Sequence, residues 1–283
     1  MIDYLMISPT GRCNLKCDGC TVENKNGNID VKIFNKIMAS FDDIGFIKLQ
    51  GMGEPFLNRH LYELAYKLKS KWEDCSIITI TNGTMNYEKY FNDVKKDFPK
   101  IPLRDLIDKV HISINDINLK KKYIKTIKTF KKFDIDFCLN LTLFDWNLEH
   151  FEELCKLAGN NIKLRVQHCQ DWNDVSNIKA IDFDKINFSV FKKSNVYYIG
   201  TEDFSFKHCE WNKERMQIDE VGNIRLCCLK TENSIIGHIN NIDEYIIRNN
   251  DDIQNKMCRT CSFLQLNLIN QEIYNRITDA ENV

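Results

Sequence analysis

The sequence has few prolines, no surplus of either charge and no long apolar run, and most of these shortages exclude something. The four prolines, beside abundant Lys, Asn and Ile, reflect an AT-rich coding sequence and say little about chemistry. Basic and acidic residues number 39 and 40, a formal net charge of -1, so no basic face is expected for nucleic acid or an anionic membrane. No apolar stretch approaches the length of a membrane span, and the first residues run straight into a strand pattern rather than a cleavable signal. A cytoplasmic location with reduced thiols is the expectation. Solenoid repeats and low-complexity tracts are also lacking. Against these shortages stand twelve cysteines, which in a reducing compartment point to metal or cluster ligation. At 283 residues and 43% hydrophobic content, the chain suits one large α/β unit, or a core domain with a smaller module.

Three of the cysteines form one tight stretch, Cys13-Asn-Leu-Lys-Cys17-Asp-Gly-Cys20, in a loop after the first strand-like run and preceded by Thr10-Gly11-Arg12. Thiolates at such spacings hold a metal or an iron–sulfur cluster. A zinc site normally wants a fourth protein ligand close by, and no His or Cys follows Cys20 for many residues. A disulfide framework does not suit a chain this long without a secretory signal. Three thiolates leave one iron of a four-iron cubane open to a small-molecule ligand, the same logic that separates catalytic from structural zinc. The stretch resembles the C-x3-C-x2-C loop of the radical S-adenosylmethionine (SAM) superfamily. The resemblance implies that the open iron chelates the amino and carboxylate groups of SAM, and that one electron from the cluster cleaves SAM to a 5′-deoxyadenosyl radical. It further implies oxygen sensitivity and a reductant such as flavodoxin or ferredoxin.

Up to about residue 195, apolar strand-like runs alternate with amphipathic helical patterns. Strands are expected at 4–8, 46–50, 76–80, 110–114, 137–143 and 163–169. Helices are expected over about 31–44, with Ile33, Phe34, Ile37, Met38 and Phe41 on one face, and around Leu61, Leu64, Ala65 and Leu68. Further helices fall in 87–108, interrupted by Pro99 and Pro102, in a lysine-rich stretch at 119–132, and on Leu148, Phe151, Leu154, Cys155 and Ala158. Six βα repeats imply parallel strands but fall short of an eight-unit barrel. The expected fold class is α/β, an open, partial (β/α)6 TIM-like barrel, which is also the core fold of the resembled superfamily. Functional residues then belong at the carboxyl ends of the strands. A helix-like run at 182–193 and a linker close this core. Beyond it come a hairpin around Gly222-Asn223, a helix near 242–248 and a last helix over about 263–278.

The C-terminal region holds Cys209, Cys227, Cys228, Cys258 and Cys261. A hairpin supplying two ligands and a C-x2-C turn supplying two more can close a four-ligand site, for a cluster or for a structural zinc ribbon. The run Cys209-x12-Gly222-x4-Cys227, followed by Cys258-x2-Cys261, resembles the SPASM/twitch extension of radical SAM enzymes. With no cysteine after Cys261, the shorter twitch-like α+β module is implied, carrying one auxiliary 4Fe–4S cluster on Cys209, Cys227, Cys258 and Cys261. Cys228 either substitutes for Cys227 or is an ordinary thiol. The expected domains are a core at 1–195, the auxiliary-cluster module at 196–265 and a C-terminal helix at 266–283.

Gly51-Met-Gly-Glu54, at the end of the second strand, resembles the Gly-Gly-Glu motif of the superfamily, with Met52 in place of its second glycine. The resemblance implies that Glu54 accepts from the SAM ammonium while Gly51 and Gly53 give close backbone approach. It also implies Ser113 and Asn140 near the SAM ribose or carboxylate, and Thr81 and Asn82 near its methionyl group. In the sixth strand, period two turns Leu164 and Val166 toward helices and Arg165, Gln167 and Cys169 toward the barrel interior. A buried arginine needs a partner, and Arg165 is a candidate to bind a substrate anion or assist proton removal. Cys169 either donates a hydrogen atom or packs, and packing is the more ordinary role for such a thiol. His168, Cys75, Cys138 and Cys155 read as structural.

An auxiliary cluster can accept an electron from a substrate radical, which makes a two-electron oxidation of a small polar metabolite, an alcohol, amino sugar or cyclitol, the leading expectation. The similar twitch dehydrogenases of aminoglycoside biosynthesis motivate it. The alternative is maturation of a ribosomally made peptide by crosslinking, oxidation or epimerisation. Peptide-modifying relatives often carry an extra N-terminal recognition domain, for which no room is seen before the first strand. A non-catalytic protein using the same cysteines structurally is the reading from a different class.

Overall fold

The period-two runs become seven parallel strands lying side by side. They are β1 (Tyr4–Ile7), β2 (Phe46–Leu49), β3 (Ser76–Thr81), β4 (Lys109–Ser113), β5 (Phe137–Leu143), β6 (Leu164–His168) and β7 (Val196–Tyr198). This computed structural model describes residues 2–17, 20, 27–51, 53–168, 182–198, 215–225, 235–242 and 275–277. Alternation decides which face each side chain takes. Along β3, Ile77, Thr79 and Thr81 are buried while Ser76, Ile78 and Ile80 are half-buried. On β6, Leu164 and Val166 are fully buried while Arg165 and Gln167 keep some exposure, as period two requires.

Between the strands run α1 (Val31–Ser40), α2 (Leu61–Lys71), α3 (Tyr87–Asp97), α4 (Leu103–Leu106), α5 (Lys120–Lys132) and α6 (Phe151–Cys155). Their apolar faces share one core with the outward side chains of the strands. Asp30 caps α1 by accepting from the Lys32 N–H at 2.7 Å, a contribution of about 1 kcal/mol. That helix stops at Ser40, short of the expected 44, because Phe41 is already extended and Gly45 N–H reaches Asp3 Oδ1 at 3.1 Å to start β2 beside β1. Phe56 sits edge-on to Tyr87, Tyr90 and Phe91 at centroid distances of 5.1, 5.2 and 6.0 Å. This packing anchors the turn after Glu54 to α3.

The array is an α/β partial barrel, and the sheet continues past β1. Its order is β10-β9-β8-β1-β2-β3-β4-β5-β6-β7, where β8 is Arg215–Ile218, β9 Asn223–Arg225 and β10 Ile235–His238. β8 runs parallel to β1, with Tyr4 opposite Arg215 and Ile7 opposite Ile218. β8, β9 and β10 are joined antiparallel. The expected hairpin is therefore present, but as added strands of the barrel sheet. Its turn closes through Gly222 N–H to Asp219 C=O at 3.0 Å, with Gly222 at φ +91°. Asp219 is 4% exposed and accepts from the Val221 and Asn223 N–H groups, the Asn223 amide and the Arg225 guanidinium.

Two expectations shift. The run at 182–193 forms two 3-10 turns, Phe183–Lys185 and Phe188–Lys192, instead of a helix. Val196–Tyr198 pairs with β6, so the core sheet passes the expected boundary at 195. Of the last helix, only residues 275–277 are described, and they are helical. Among the described residues no helix is long and apolar enough to cross a membrane.

Candidate active site at the carboxyl ends of the strands

The cysteine loop leaves the carboxyl end of β1 and is tied at its base. Thr10 bridges Asn28, Gly11 N–H and Thr10 Oγ1 both donate to Gly27 C=O at 3.2 Å, and Ile29 N–H donates to Pro9 C=O at 3.0 Å. Arg12 Nη2 donates to Asn28 Oδ1 at 2.8 Å and to Leu57 C=O at 3.2 Å. Glu54 N–H donates to Arg12 C=O at 2.7 Å and joins the loop to the end of β2. Within the loop, Cys20 N–H donates to Cys17 C=O at 3.1 Å. Cys13 is half-buried, Cys17 and Cys20 are exposed, and none forms a disulfide. Burial pushes the Cys13 thiol up, and the charges of Glu54 and Cys20 add to that, against the Leu15 N–H and the Asn82 amide.

Three accessible thiols on one rim loop form a soft donor set that suits an iron–sulfur cluster. Among the described residues no three His, Cys, Asp or Glu side chains converge on a single ion-sized point.

Glu54 is 2% exposed and its carboxylate is engaged within the protein. Oε1 accepts from Thr81 Oγ1 at 2.7 Å and Phe56 N–H at 3.2 Å, and Oε2 accepts from Asn82 N–H at 2.7 Å. Burial pushes this carboxyl up to about 7 against the pull of those donors. Glu54 therefore braces the ends of β2 and β3, and an ammonium ligand would have to share Oε2 with Asn82. Thr81 is 1% exposed, its hydroxyl held between Glu54 and the Tyr87 hydroxyl at 2.5 Å. Gly51 and Gly53 answer first to packing. A Cβ on Gly51 would run into Ser8, and one on Gly53 would meet the backbone of Thr10 and Arg12. Met52 lies outside the described residues.

Asn82 faces the cysteine loop. Its Nδ2 donates to Asn14 Oδ1 at 2.9 Å and to Cys13 Sγ at 3.9 Å, and its Oδ1 accepts from Thr84 N–H at 3.0 Å and Thr84 Oγ1 at 2.7 Å. Asn14 Nδ2 closes the ring on Thr84 Oγ1 at 2.8 Å.

Deeper in the barrel, Ser113, Asn140 and Arg165 are neighbours in register across β4, β5 and β6. Three buried acceptor oxygens, Gln50 Oε1, Asn140 Oδ1 and Gln217 Oε1, meet no donor among the described residues. Gln167 Nε2 donates to Thr142 Oγ1 at 3.0 Å. Arg165 Nη1 donates to Nδ1 of His111 at 2.6 Å, so its partner comes from β4 and the guanidinium leans toward the amino ends of the strands. His111 is 6% exposed, and burial together with the Arg165 cation pushes its imidazole down to about 3. The pair thus carries one positive charge. Cys75, Cys138 and Cys155 are buried, as expected for structural thiols.

Cys169, Cys209, Cys227, Cys228, Cys258 and Cys261 lie outside the described residues, as does the His168 side chain. Sequence reasoning missed His111, although it shares the inward parity of Ser113 on β4. It also missed Glu220, which accepts from Ser8 Oγ at 3.0 Å and pins the hairpin beside the cysteine loop. No local pattern carries a contact spanning 212 positions.

Residues 7–158 match the Radical SAM superfamily, and the chain belongs to it. It is a radical SAM enzyme, and membership implies a 4Fe–4S cluster and SAM as cofactors. Among relatives, an uncharacterized protein of Methanocaldococcus jannaschii is 26% identical over 288 residues, 92% of this chain and 96% of that protein. The GTP 3′,8-cyclase of Clostridium acetobutylicum is 30% identical over 153 residues, and the match spans 50% of this chain and 45% of that enzyme. Among solved structures, a histidine-tagged form of anSMEcpe with bound AdoMet superposes with a TM-score of 0.68 at 16% identity, over 99% of this chain and 95% of that one. Streptococcus suis SuiB bound to S-adenosylmethionine gives 0.63 at 15% identity, over 93% and 71%. At these identities the structures establish the fold.

Proposed function

We infer that Cys13, Cys17 and Cys20 ligate the SAM-binding 4Fe–4S cluster and that the enzyme oxidises a small polar metabolite by two electrons. The observation that carries the first part is the rim loop of three accessible thiols, tied to β2 through Arg12 and Glu54. When bound, the cluster and SAM together supply a 5′-deoxyadenosyl radical that takes a hydrogen atom from the substrate. Arg12 and the Thr10–Asn28 bridge hold the loop in place. Glu54 fixes the ends of β2 and β3, with Gly51 and Gly53 letting the β2 end lie against Ser8 and the Thr10–Arg12 backbone. Asn82 lies against Cys13, and Ser113 and Asn140 are assigned to the SAM ribose or carboxylate.

The polar interior supports the choice of substrate. Gln217 and Gln50 offer buried acceptor oxygens to hydroxyl or amino donors, and the charged Arg165–His111 pair lies in the same sheet, on β6 and β4. Arg165 of β6, and Cys169 beyond it in the sequence, are the proposed substrate residues. Cys209, Cys227, Cys258 and Cys261 are assigned, on their resemblance to the twitch extension, to an auxiliary cluster that takes the second electron, carried by the chain beyond β7 and followed by a helix at 266–283.

Iron and sulfide per chain after anaerobic reconstitution test this reading, in wild type and in the triple variant Cys13→Ala/Cys17→Ala/Cys20→Ala. About eight irons falling to about four is the expected result for two cubanes. About four falling to none would remove the auxiliary cluster and the electron-acceptor role with it. Deoxyadenosine formed from SAM and dithionite by wild type and lost in the variant completes the test, and its absence from the loaded wild type would sink the radical reading.

A further inference from the structure

The amide of Asn82 is oriented by a donor that has no alternative. Asparagine oxygen and nitrogen are assigned from their partners, and here Thr84 N–H, at 3.0 Å, can only donate. Oδ1 must therefore face Thr84, and the NH2 group must face the cysteine loop. There its two hydrogens have two acceptors, Asn14 Oδ1 at 2.9 Å and Cys13 Sγ at 3.9 Å. Asn14 in turn donates to Thr84 Oγ1 at 2.8 Å, so a closed ring of three side chains holds the amide against Cys13. Behind it, Asn82 N–H is fixed by the buried carboxylate of Glu54 at 2.7 Å, so the backbone is clamped as well.

From this geometry we propose that Asn82 is a positioning residue whose amide donates to the Cys13 sulfur and raises the reduction potential of the cluster held there. The inference rests on the ligand set proposed above. Adding an electron makes the ligating sulfurs more negative, and a hydrogen-bond donor stabilises that state more than the oxidised one. The Thr84 N–H sets the direction, because a rotated amide would present its oxygen to a thiolate and act in the opposite sense.

The test is the midpoint potential of the reconstituted cluster, followed by electron paramagnetic resonance, in wild type, Asn82→Asp, Asn82→Ala and Thr84→Ala. Asn82→Asp keeps the oxygen facing Thr84 N–H but turns a second oxygen on Cys13. Thr84→Ala breaks the side-chain ring while its N–H still orients Asn82. The expected result is a reduced-to-oxidised ratio at fixed ambient potential lower by about tenfold in Asn82→Asp, about 59 mV for one electron, with a smaller fall in Asn82→Ala. Thr84→Ala should stay near wild type, with unchanged iron content throughout. Equal potentials in wild type and both Asn82 variants would overturn the inference. So would a shift in Thr84→Ala as large as that in Asn82→Asp, which would make loop tethering the cause. Loss of the cluster from both Asn82 variants with an unchanged thermal melt would also overturn it, since a donor of this kind tunes a cluster rather than holding it. Absence of iron from wild type would overturn the ligand set itself, and an unmoved potential in a loaded wild type and its variants would overturn only the role of Asn82.

Discussion

His111 and Glu54 are both buried, with opposite consequences in acid. The His111 imidazole falls from the ordinary 6.5 to about 3, pressed by burial first and then by Arg165, Lys48 and Lys109. Between those values the unfolded chain binds a proton that the folded chain refuses, so stability drops as pH falls from 6.5 toward 3, by up to about 1.4 kcal/mol per pH unit. Glu54 is raised from 4.5 to about 7, so its contribution is fully present below 4.5 and is lost as pH rises through 7. Replacing His111 by Gln keeps an acceptor for Arg165 and removes the titration. Thermal melts should show a shallower loss of Tm between about pH 6 and about pH 4 in His111→Gln than in wild type. Parallel losses would take His111 out of the account. The inward position of Arg165 was legible from period two, as was its need for a partner. The identity of that partner was not, because parity within a strand says nothing about register between strands 54 positions apart.

At the scale of elements, the hairpin depends on one carboxylate. Asp219 gathers two N–H groups, an amide and the Arg225 guanidinium at 2.9 Å while almost fully buried. Asp219→Ala should cost about 3 kcal/mol, the usual range for breaking a buried pair, read as a fall in Tm with the same unfolding slope in denaturant. A loss under about 0.5 kcal/mol would mean that the turn is held by Gly222 and the β8–β9 ladder alone. The hairpin was legible because its turn residues are local. β7 was not, since three residues, Val196–Tyr198, carry too little alternation to stand out from a linker. The 182–193 run misled for a related reason. Phe188 and Phe191, three apart, suit a 3-10 turn as well as an α-helix, and their rings meet at 6.1 Å in the turn.

At the scale of the molecule, one sheet holds the barrel and the hairpin. The rhythm of six βα units gave the class of fold, and the cysteine spacing gave the end of the barrel where chemistry belongs. The parallel pairing of β8 on β1 was not readable, because neither strand advertises its partner. That pairing buries Ile7 and Ile218 completely, so strands β1 to β9 should unfold together. Urea titrations followed by tryptophan fluorescence and by far-ultraviolet circular dichroism should coincide in a single transition. Two separated transitions would mean that the hairpin is a satellite and that β1 is stable without it.

The β1–β8 pairing also sets an order of events during synthesis. β1 leaves the ribosome well before one of its two neighbours, which ends at Ile218. Ser8 meets Glu220 only after 212 further residues, roughly 10 to 40 s at translation rates of 5–20 residues per second. Through that interval the strand bearing the cysteine loop has an open edge, a template for wrong partners. Docking of β8, sealed by the Ser8–Glu220 bond, is the event that closes this edge.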